Sequence, residues 1–391
     1  MKTCFRPLLF SAALVASASG PLHAQTNVSD IVGFLMTNQA VPTDDLERDR
    51  AASEAAADVL RRALLVSLTS VPITTSSGGF VYRLNPELGT VERATESFGG
   101  FFVERALTPG HGRTSFGVSG STSDFNNLDG HTLSDGSFVA IARQFRDEPA
   151  PFDVESLTLH VRSSSMTVFA SVGVTNRLEI GAAVPFLRLT LEGERVNVLR
   201  GQRLQQAAAT AVASGIGDAA IRAKYILAAS RASGFAIAGE IRLPTGDEMN
   251  LLGAGSVGVR VMGIGSYERN RMSLHGNAGV VRGGVSDEIT GGGAAAIAMA
   301  PQLTLTGELA TRYLSELRPV ALSAAPHPTI ALLDTLRLTG GAPGRLLSTV
   351  IAGLKWNPGG TFVLAGHLRW NLTNTGLTAP ITPSLGIEYA F

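Results

Sequence analysis

Two-residue alternation governs the stretch Phe362-Val363-Leu364-Ala365-Gly366-His367-Leu368-Arg369-Trp370-Asn371-Leu372 near the end of the chain. Phe362, Leu364 and Leu368 fall on one face of this stretch, whereas His367 and Arg369 fall on the other. A period of two places successive side chains on opposite faces of a β-strand. One face here is apolar with aromatic residues near its ends, and the other is polar or small. This pattern predicts a strand that has lipid on one side and water on the other.

The final residues, 384–391, repeat the alternation, with Leu385, Ile387, Tyr389 and Phe391 on one face. A terminal aromatic residue preceded by apolar residues two and four positions earlier resembles the last strand of bacterial outer-membrane barrels. That resemblance implies that Ile387, Tyr389 and Phe391 form the signal read by the barrel-assembly machinery.

The amino terminus predicts export. Lys2 and Arg6 give a positive start, a short apolar run follows, and Ala24 closes a cleavage site. These features predict a signal peptide over residues 1–24, with cleavage after Ala18 as the alternative. The one cysteine, Cys4, lies inside this leader, which agrees weakly with an envelope protein.

Composition narrows the class further. Without the leader, 30 basic residues stand against 32 acidic residues, so we expect no nucleic-acid partner. Charged residues make up 16% of the chain, and no later run approaches the roughly 18 apolar residues of a membrane helix. A β-barrel is then the spanning structure that remains, and a secreted soluble β-sandwich is the alternative. No cofactor and no metal site are expected, because histidines and carboxylates show no metal-ligand spacing.

Residues 25–97 differ from the rest of the chain. Apolar residues at helical spacing predict an amphipathic helix over residues 44–66, with Asp44 and Glu47 as a capping box. Residues 76–79 form a flexible break, and residues 80–96 read as a small hairpin. Ahead of a barrel, such a segment is either a plug in the lumen or a lid in the periplasm.

From residue 98 to 391 the alternation predicts an antiparallel up-and-down transmembrane β-barrel of about fourteen strands. The alternating segments are 98–106, 113–126, 134–144, 156–173, 177–192, 215–228, 233–244, 255–267, 270–282, 290–300, 302–315, 345–356, 361–372 and 381–391. Their connections alternate between short turns, such as 175–177 and 357–360, and longer loops, such as 196–214 and 315–344. Short turns belong on the periplasmic side, and this places the carboxyl terminus there as well.

Two motifs add a family resemblance. Gly215-Ile216-Gly217-Asp218 leads to Lys224-Tyr225, and Leu243-Pro244-Thr245-Gly246-Asp247 follows. From about residue 215 to 391 the chain resembles the bacterial outer-membrane transporter family associated with phenol degradation. Its architecture is also similar to that of the long-chain fatty-acid transporters. The resemblance implies passive uptake of small molecules, often aromatic or hydrophobic. From the residues themselves we expect the motifs to form turns at the barrel rim.

Ionisable residues on the polar faces of the strands are the candidates for a functional lumen. A charge that faces lipid at mid-bilayer costs roughly 2–4 kcal/mol, so these side chains are expected to face inward. They could form a selective constriction, or they could brace the barrel as neutralising pairs. The candidates are Glu179, Asp218, Arg222, Lys224, Glu240, Arg242, Arg260, Arg271, His275, Glu308, Arg312, Lys355, His367, Arg369 and Glu388.

The sequence therefore predicts an outer-membrane channel that passes small molecules, hydrophobic or aromatic ones among them, without catalysis. Its expected partners are the outer-membrane lipid, the barrel-assembly machinery and the permeant. A general porin-like barrel is one alternative. Another is a lipid-modifying enzyme, which needs a serine–histidine pair. His160 and Ser163 are the nearest candidates for such a pair, but a separation of three puts them on opposite faces of a strand.

Overall fold

The computed structural model describes residues 27–37, 46–69, 82–85, 90–93, 95–230 and 232–391, and the predicted signal peptide lies outside them. The helices are α1 (Val28–Thr37) and α2 (Leu46–Thr69). The strands are β1 (Tyr82–Asn85), β2 (Thr90–Arg93), β3 (Thr114–Phe125), β4 (Asn127–Leu128), β5 (His131–Thr132), β6 (Phe138–Phe145), β7 (Asp153–Gly173), β8 (Leu178–Leu199), β9 (Gln202–Ile216), β10 (Ala219–Ala229), β11 (Ser233–Leu243), β12 (Gly258–Arg269), β13 (Met272–Gly283), β14 (Glu288–Ala300), β15 (Leu303–Leu314), β16 (Val320–Pro326), β17 (Leu333–Gly340), β18 (Arg345–Trp356), β19 (Phe362–Asn371), β20 (Leu377–Thr378) and β21 (Thr382–Ala390). Neither described helix has the length and apolar character of a membrane span.

The strands close into an antiparallel barrel. Twelve of them form a ring in the order β3, β7, β8, β10, β11, β12, β13, β14, β15, β18, β19 and β21. The last strand returns to the first, with Tyr389 opposite Phe116, so the ring leaves no open edge. The predicted fold class, an all-β antiparallel barrel, is confirmed.

Two of the predicted barrel segments are not barrel strands. Residues 98–106, the first predicted strand, form an irregular loop inside the ring instead. Residues 134–144 overlap β6, which pairs with β7 and β17 outside the ring. The ring therefore has twelve strands where about fourteen were predicted.

The two faces of the wall are separated as the alternation predicts. Leu305, Leu364 and Leu368 are 52%, 36% and 45% exposed on the outer face, whereas Glu308 is 4% exposed on the inner face. The outer belt is made of such apolar residues on almost every ring strand. A belt of this kind is stable only against acyl chains.

Strands β7 and β8 continue well beyond the membrane. They have 21 and 22 residues, about twice the 9–11 residues that cross a bilayer. Beyond the ring they pair with β6 and β9 instead of β3 and β10, and β16 and β17 extend this sheet. The predicted long loops 196–214 and 315–344 are therefore largely strands, because extracellular segments can pair as the wall does.

Both helices pack at this extended, extracellular end. α1 contacts β8 and β9, and α2 contacts β16, β17 and β20. The contacts bury Leu35 and Leu60 in one apolar core with Leu159 and Leu191. The helices thus lie at the mouth of the barrel, and α2 overlaps the predicted helix 44–66.

Polar contacts fix α1 at each end. Asn27 caps its first turn through the Asp30 N–H, and the Ser29 N–H donates to the Met249 carbonyl at 2.9 Å. At the other end Arg195 donates to the Met36 carbonyl at 2.6 Å and forms an ion pair with Glu155. A cation at the carboxyl end of a helix satisfies its free carbonyl groups.

Candidate functional site in the barrel lumen

The irregular segment 95–112, called the inner loop below, occupies the periplasmic half of the lumen. Its main chain is bonded to side chains of the wall, since the Phe98 N–H donates to Thr304 Oγ1 at 3.1 Å and the Ala106 N–H donates to Ser266 Oγ at 2.8 Å. The loop then reaches the periplasmic turn, where Gly112 N donates to the Gly173 carbonyl. Wall side chains here supply the hydrogen bonds that a strand would take from its neighbours.

Glu308 and Lys355 hold the apex of the inner loop. The Glu308 carboxylate accepts the N–H groups of Phe101, Phe102 and Val103, the last two at 3.0 Å. Lys355 Nζ donates to the Gly100 carbonyl at 2.7 Å and lies 4.9 Å from the Phe101 ring centroid. A carboxylate with three N–H donors and an ammonium on a carbonyl are charge-assisted contacts, the stronger kind of hydrogen bond.

Further ion pairs join the loop to the wall in the same half of the lumen. Glu104 pairs with Arg222 of β10. Lys224 pairs with Glu179 at 2.8 Å and also lies 3.4 Å from the Arg105 carbonyl oxygen. These three ring residues and two loop residues bring strands β8 and β10 into contact with the inner loop. The predicted residues therefore meet partners that the strand pattern alone did not reveal.

The extracellular half of the lumen carries a second group of charges. Glu240 contacts Arg242 at 3.0 Å and Arg260 at 3.5 Å. Arg312 grips Glu288 with two nitrogen atoms, at 2.9 and 2.5 Å. Arginine matches a carboxylate in this two-point geometry better than lysine can. These pairs brace β11 to β12 and β14 to β15.

A cavity of about 220 Å³ lies between α2 and the inner loop. Leu68 and Thr69 of α2 border it on one side, and Phe101 and Phe102 of the loop border it on the other. Hydroxyl and apolar groups line the wall between them, together with the charged residues Asp218, Arg312, Lys355, Arg369 and Glu388. The Phe102 and His367 rings stand edge to face, with centroids 5.4 Å apart. The lumen thus contains a cavity with aromatic and polar walls.

The family motifs form a tied pair of turns at the extracellular rim. The Asp218 carboxylate accepts the N–H groups of Gly246 at 3.0 Å and of Ala254 at 2.7 Å. Thr245 Oγ1 donates to the Gly217 carbonyl at 2.7 Å. The same rim loop contains Met249, whose carbonyl oxygen accepts the hydrogen bond from the Ser29 N–H of α1. The motif residues therefore have a structural role: they hold the two turns together and connect the rim to α1 at the mouth of the barrel.

The predicted lumen residues lie at different levels. Glu388 and His275 are buried in the periplasmic half, where His275 Nδ1 lies 2.9 Å from Ser266 Oγ. Arg271 stands apart, because it lies in the turn before β13 with 71% of its side chain exposed and Glu96 4.0 Å away. The role of the set in permeation stays a prediction. Within the described part of the chain, no group of three or more potential metal ligands comes together.

The sequence interpretation missed Glu104 and Arg105, which lie on the inner loop. A signal was present, since Gly99-Gly100 followed by three apolar residues breaks the alternation. Gly100 sits where an added Cβ would meet the Val103 carbonyl oxygen. A tight apex of this kind favours glycine and is foreign to a regular strand.

A family model described as "Putative MetA-pathway of phenol degradation" matches residues 122–313. The resemblance to this family is confirmed. The matched region contains both rim motifs, begins earlier than the expected residue 215 and ends before residue 391. A comparison with curated proteins found no match.

Solved outer-membrane structures are also similar to this chain. An outer membrane channel from Pseudomonas putida F1 is 13% identical, with 73% of this chain and 98% of that chain covered and a TM-score of 0.45. The Ralstonia pickettii toluene transporter TbuX is 11% identical, with 72% of this chain and 90% of that chain covered and a TM-score of 0.31.

The closed barrel, its lipid-facing belt and the family match make the chain a protein of the bacterial outer membrane. They support a channel role.

Proposed function

We propose that the protein is a channel for passive uptake of small molecules, in particular hydrophobic or aromatic ones. The observation that carries the proposal is the cavity of about 220 Å³ in the middle of the lumen, bordered by Phe101 and Phe102. An apolar cavity of about 150 Å³ takes up benzene, so this compartment has room for a substituted single ring. The family match supports the same class of permeant.

In this proposal the amino-terminal region is the plug. α2 borders the cavity at the mouth, and the inner loop borders it toward the periplasm. A permeant then passes two obstructions in series, with the cavity as a waiting site between them. The alternative, a lid in the periplasm, has less support because the described helices pack against extracellular strands.

We also propose that the chain performs no catalysis. The serine–histidine pair of the enzyme alternative has its two members on opposite faces of β7. Ser163 borders the cavity, whereas His160 is exposed and lies opposite Glu192 of β8. Nucleophilic catalysis requires the two side chains within hydrogen-bond reach of each other.

The remaining partners of the proposal are the membrane and its assembly machinery. Ile387, Tyr389 and Phe391 are 44%, 39% and 59% exposed on the outer face of the last strand. Side chains that point outward are available to lipid, and before that to an assembly factor that reads the terminal strand.

Ion current through the purified protein in planar lipid bilayers tests the proposal. A neutral aromatic solute, 4-hydroxybenzamide, should interrupt the current at lower concentrations than arabinose, which lacks a ring. Phe102→Ala should weaken the interruption by the aromatic solute alone. Absence of current, or equal interruption by both solutes, would contradict the proposal.

A further inference from the structure

Arg369 differs from four other arginines of the inner wall. Arg222, Arg242, Arg260 and Arg312 each contact a carboxylate. Arg369 borders the cavity and forms no ion pair or hydrogen bond with any other residue that the structure describes. A guanidinium that only braced the barrel would be expected to have a carboxylate opposite it, as these four do.

The strand register shows what surrounds this guanidinium. Across the wall Arg369 lies opposite Ile351 of β18 and Thr382 of β21, neither of which carries a charge. Thr382 is itself bonded to Ser123, with their hydroxyl oxygens 2.8 Å apart. The neighbours therefore offer hydroxyl groups and apolar surface but no anion.

The other charged residues of the extracellular half also include more guanidinium groups than glutamates. Arg242 and Arg260 share one carboxylate, that of Glu240. Arg312 is matched by Glu288. With Arg369 included, these four guanidinium groups stand against the carboxylates of Glu240, Glu288 and Asp218, and that of Asp218 already accepts the N–H groups of Gly246 and Ala254. Positive potential in a cleft raises the local concentration of anions.

An aromatic surface lies one step below Arg369. His367 is the previous inward-facing residue of β19, about 7 Å nearer the periplasm along the strand. Its ring contacts Phe101 at a centroid distance of 4.4 Å and Phe102 at 5.4 Å. A ring that rests on Phe102 would place a substituent toward Arg369.

We infer that Arg369 is the carboxylate-binding residue of the cavity, and that the permeant class is a monocyclic aromatic acid such as benzoate. The carboxylate would accept two N–H groups of the guanidinium while the ring lies against Phe102 and His367. Two-point recognition of a carboxylate is the contact for which arginine is best suited. This inference rests on the proposed channel function and deepens it.

Interruption of ion current in planar bilayers tests the inference with three probes: benzoate, its neutral isostere benzamide, and acetate, which has the carboxylate without the ring. In the unaltered protein benzoate should act at a concentration about tenfold or more below that of benzamide, because a charged hydrogen-bond pair is gained. Acetate should act more weakly than benzoate.

Arg369→Gln should remove the preference for benzoate over benzamide. Arg369→Lys keeps the positive charge but cannot donate two parallel N–H groups to one carboxylate, so it should retain only part of the preference. The matched control is Arg162→Gln, since Arg162 is 65% exposed at the extracellular end of the β3–β7 pairing and forms an ion pair with Asp124. Heat-modifiable migration in gels establishes that each variant is folded. If Arg369→Gln does not fold, the comparison of benzoate with benzamide on the unaltered protein still decides.

Each outcome has one meaning. Equal action of benzoate and benzamide on the unaltered protein, or a preference that survives in Arg369→Gln, overturns the inference while the channel stands. If acetate is as effective as benzoate, the part of the inference that assigns an aromatic ring to the permeant is overturned. No response to either aromatic solute overturns the proposed function and this inference with it.

Discussion

Removal of the Glu308 carboxylate should release the inner loop from the wall. Glu308 is 4% exposed and accepts three consecutive N–H groups of the loop apex, so Glu308→Ala leaves Phe101, Phe102 and Val103 without that acceptor. A buried donor left unsatisfied costs about 1–3 kcal/mol, and three donors at the lower limit cost about 3 kcal/mol. Since about 1.4 kcal/mol corresponds to a factor of ten, the detached loop should become at least about a hundredfold more populated.

Hydrogen exchange of the purified barrel measures this population. Exchange of the three apex amides should accelerate in Glu308→Ala by about a hundredfold, while the ring strand amides of β12–β14 keep their protection. Thr304→Val is the graded control, because it removes one acceptor of the same loop, that of the Phe98 N–H. It should accelerate exchange at Phe98 by about tenfold or less.

The channel current gives a second measurement of the same event. If the inner loop closes the periplasmic half, Glu308→Ala should raise the conductance, and Glu308→Gln, which keeps one acceptor oxygen, should raise it less. Apex amides as protected in Glu308→Ala as in the unaltered protein would refute the reasoning. It would mean that the remaining contacts, such as Lys355 with the Gly100 carbonyl, hold the loop by themselves.

Three further outcomes follow from the structure. Arg195→Met should destabilise the packing of α1 by about 3–5 kcal/mol, because Glu155 is left as a buried unpaired charge, and faster hydrogen exchange in α1 would measure it. Asp218→Ala should leave two rim N–H groups unsatisfied at about 1–3 kcal/mol each, so limited proteolysis should cut the rim loop more rapidly. Leu309→Arg, in the middle of β15, should cost about 2–4 kcal/mol in reversible folding into lipid vesicles, whereas a cost near zero would contradict the lipid-facing assignment.

The wall of the barrel could be predicted because each strand carries its own evidence. Leu305, Leu364 and Leu368 face outward and Glu308 inward, and a shift of one residue in any strand would reverse the two faces. The opposite arrangement, with these leucines gathered in a core, would have excluded a membrane barrel. Lipid outside and water inside impose one pattern on every ring strand, so a single sequence suffices to find it.

Alternation does not say which neighbour a strand pairs with, and for that reason the ring has twelve strands rather than about fourteen. β6 alternates as a barrel strand does, yet it pairs with the part of β7 that projects beyond the membrane. The helix α1 was missed although its apolar residues recur at helical spacing, with Val28, Ile31, Val32 and Leu35 all buried. Ten residues leave a short signal, and the Asn27 cap was the strongest sign of its start.

The partners of the lumen charges could not be predicted from the sequence, because those partners are distant along the chain. Glu308 serves amides about two hundred positions earlier, on a segment whose irregular path no local pattern specifies. Most of the wall arginines proved to be half of a pair, which is what bracing of the barrel requires. Arg369 is the exception, because it has no carboxylate partner among the described residues, and this difference is why we assign it a role in binding. Arg369 contacts no carboxylate of the described residues, and its side chain borders the cavity.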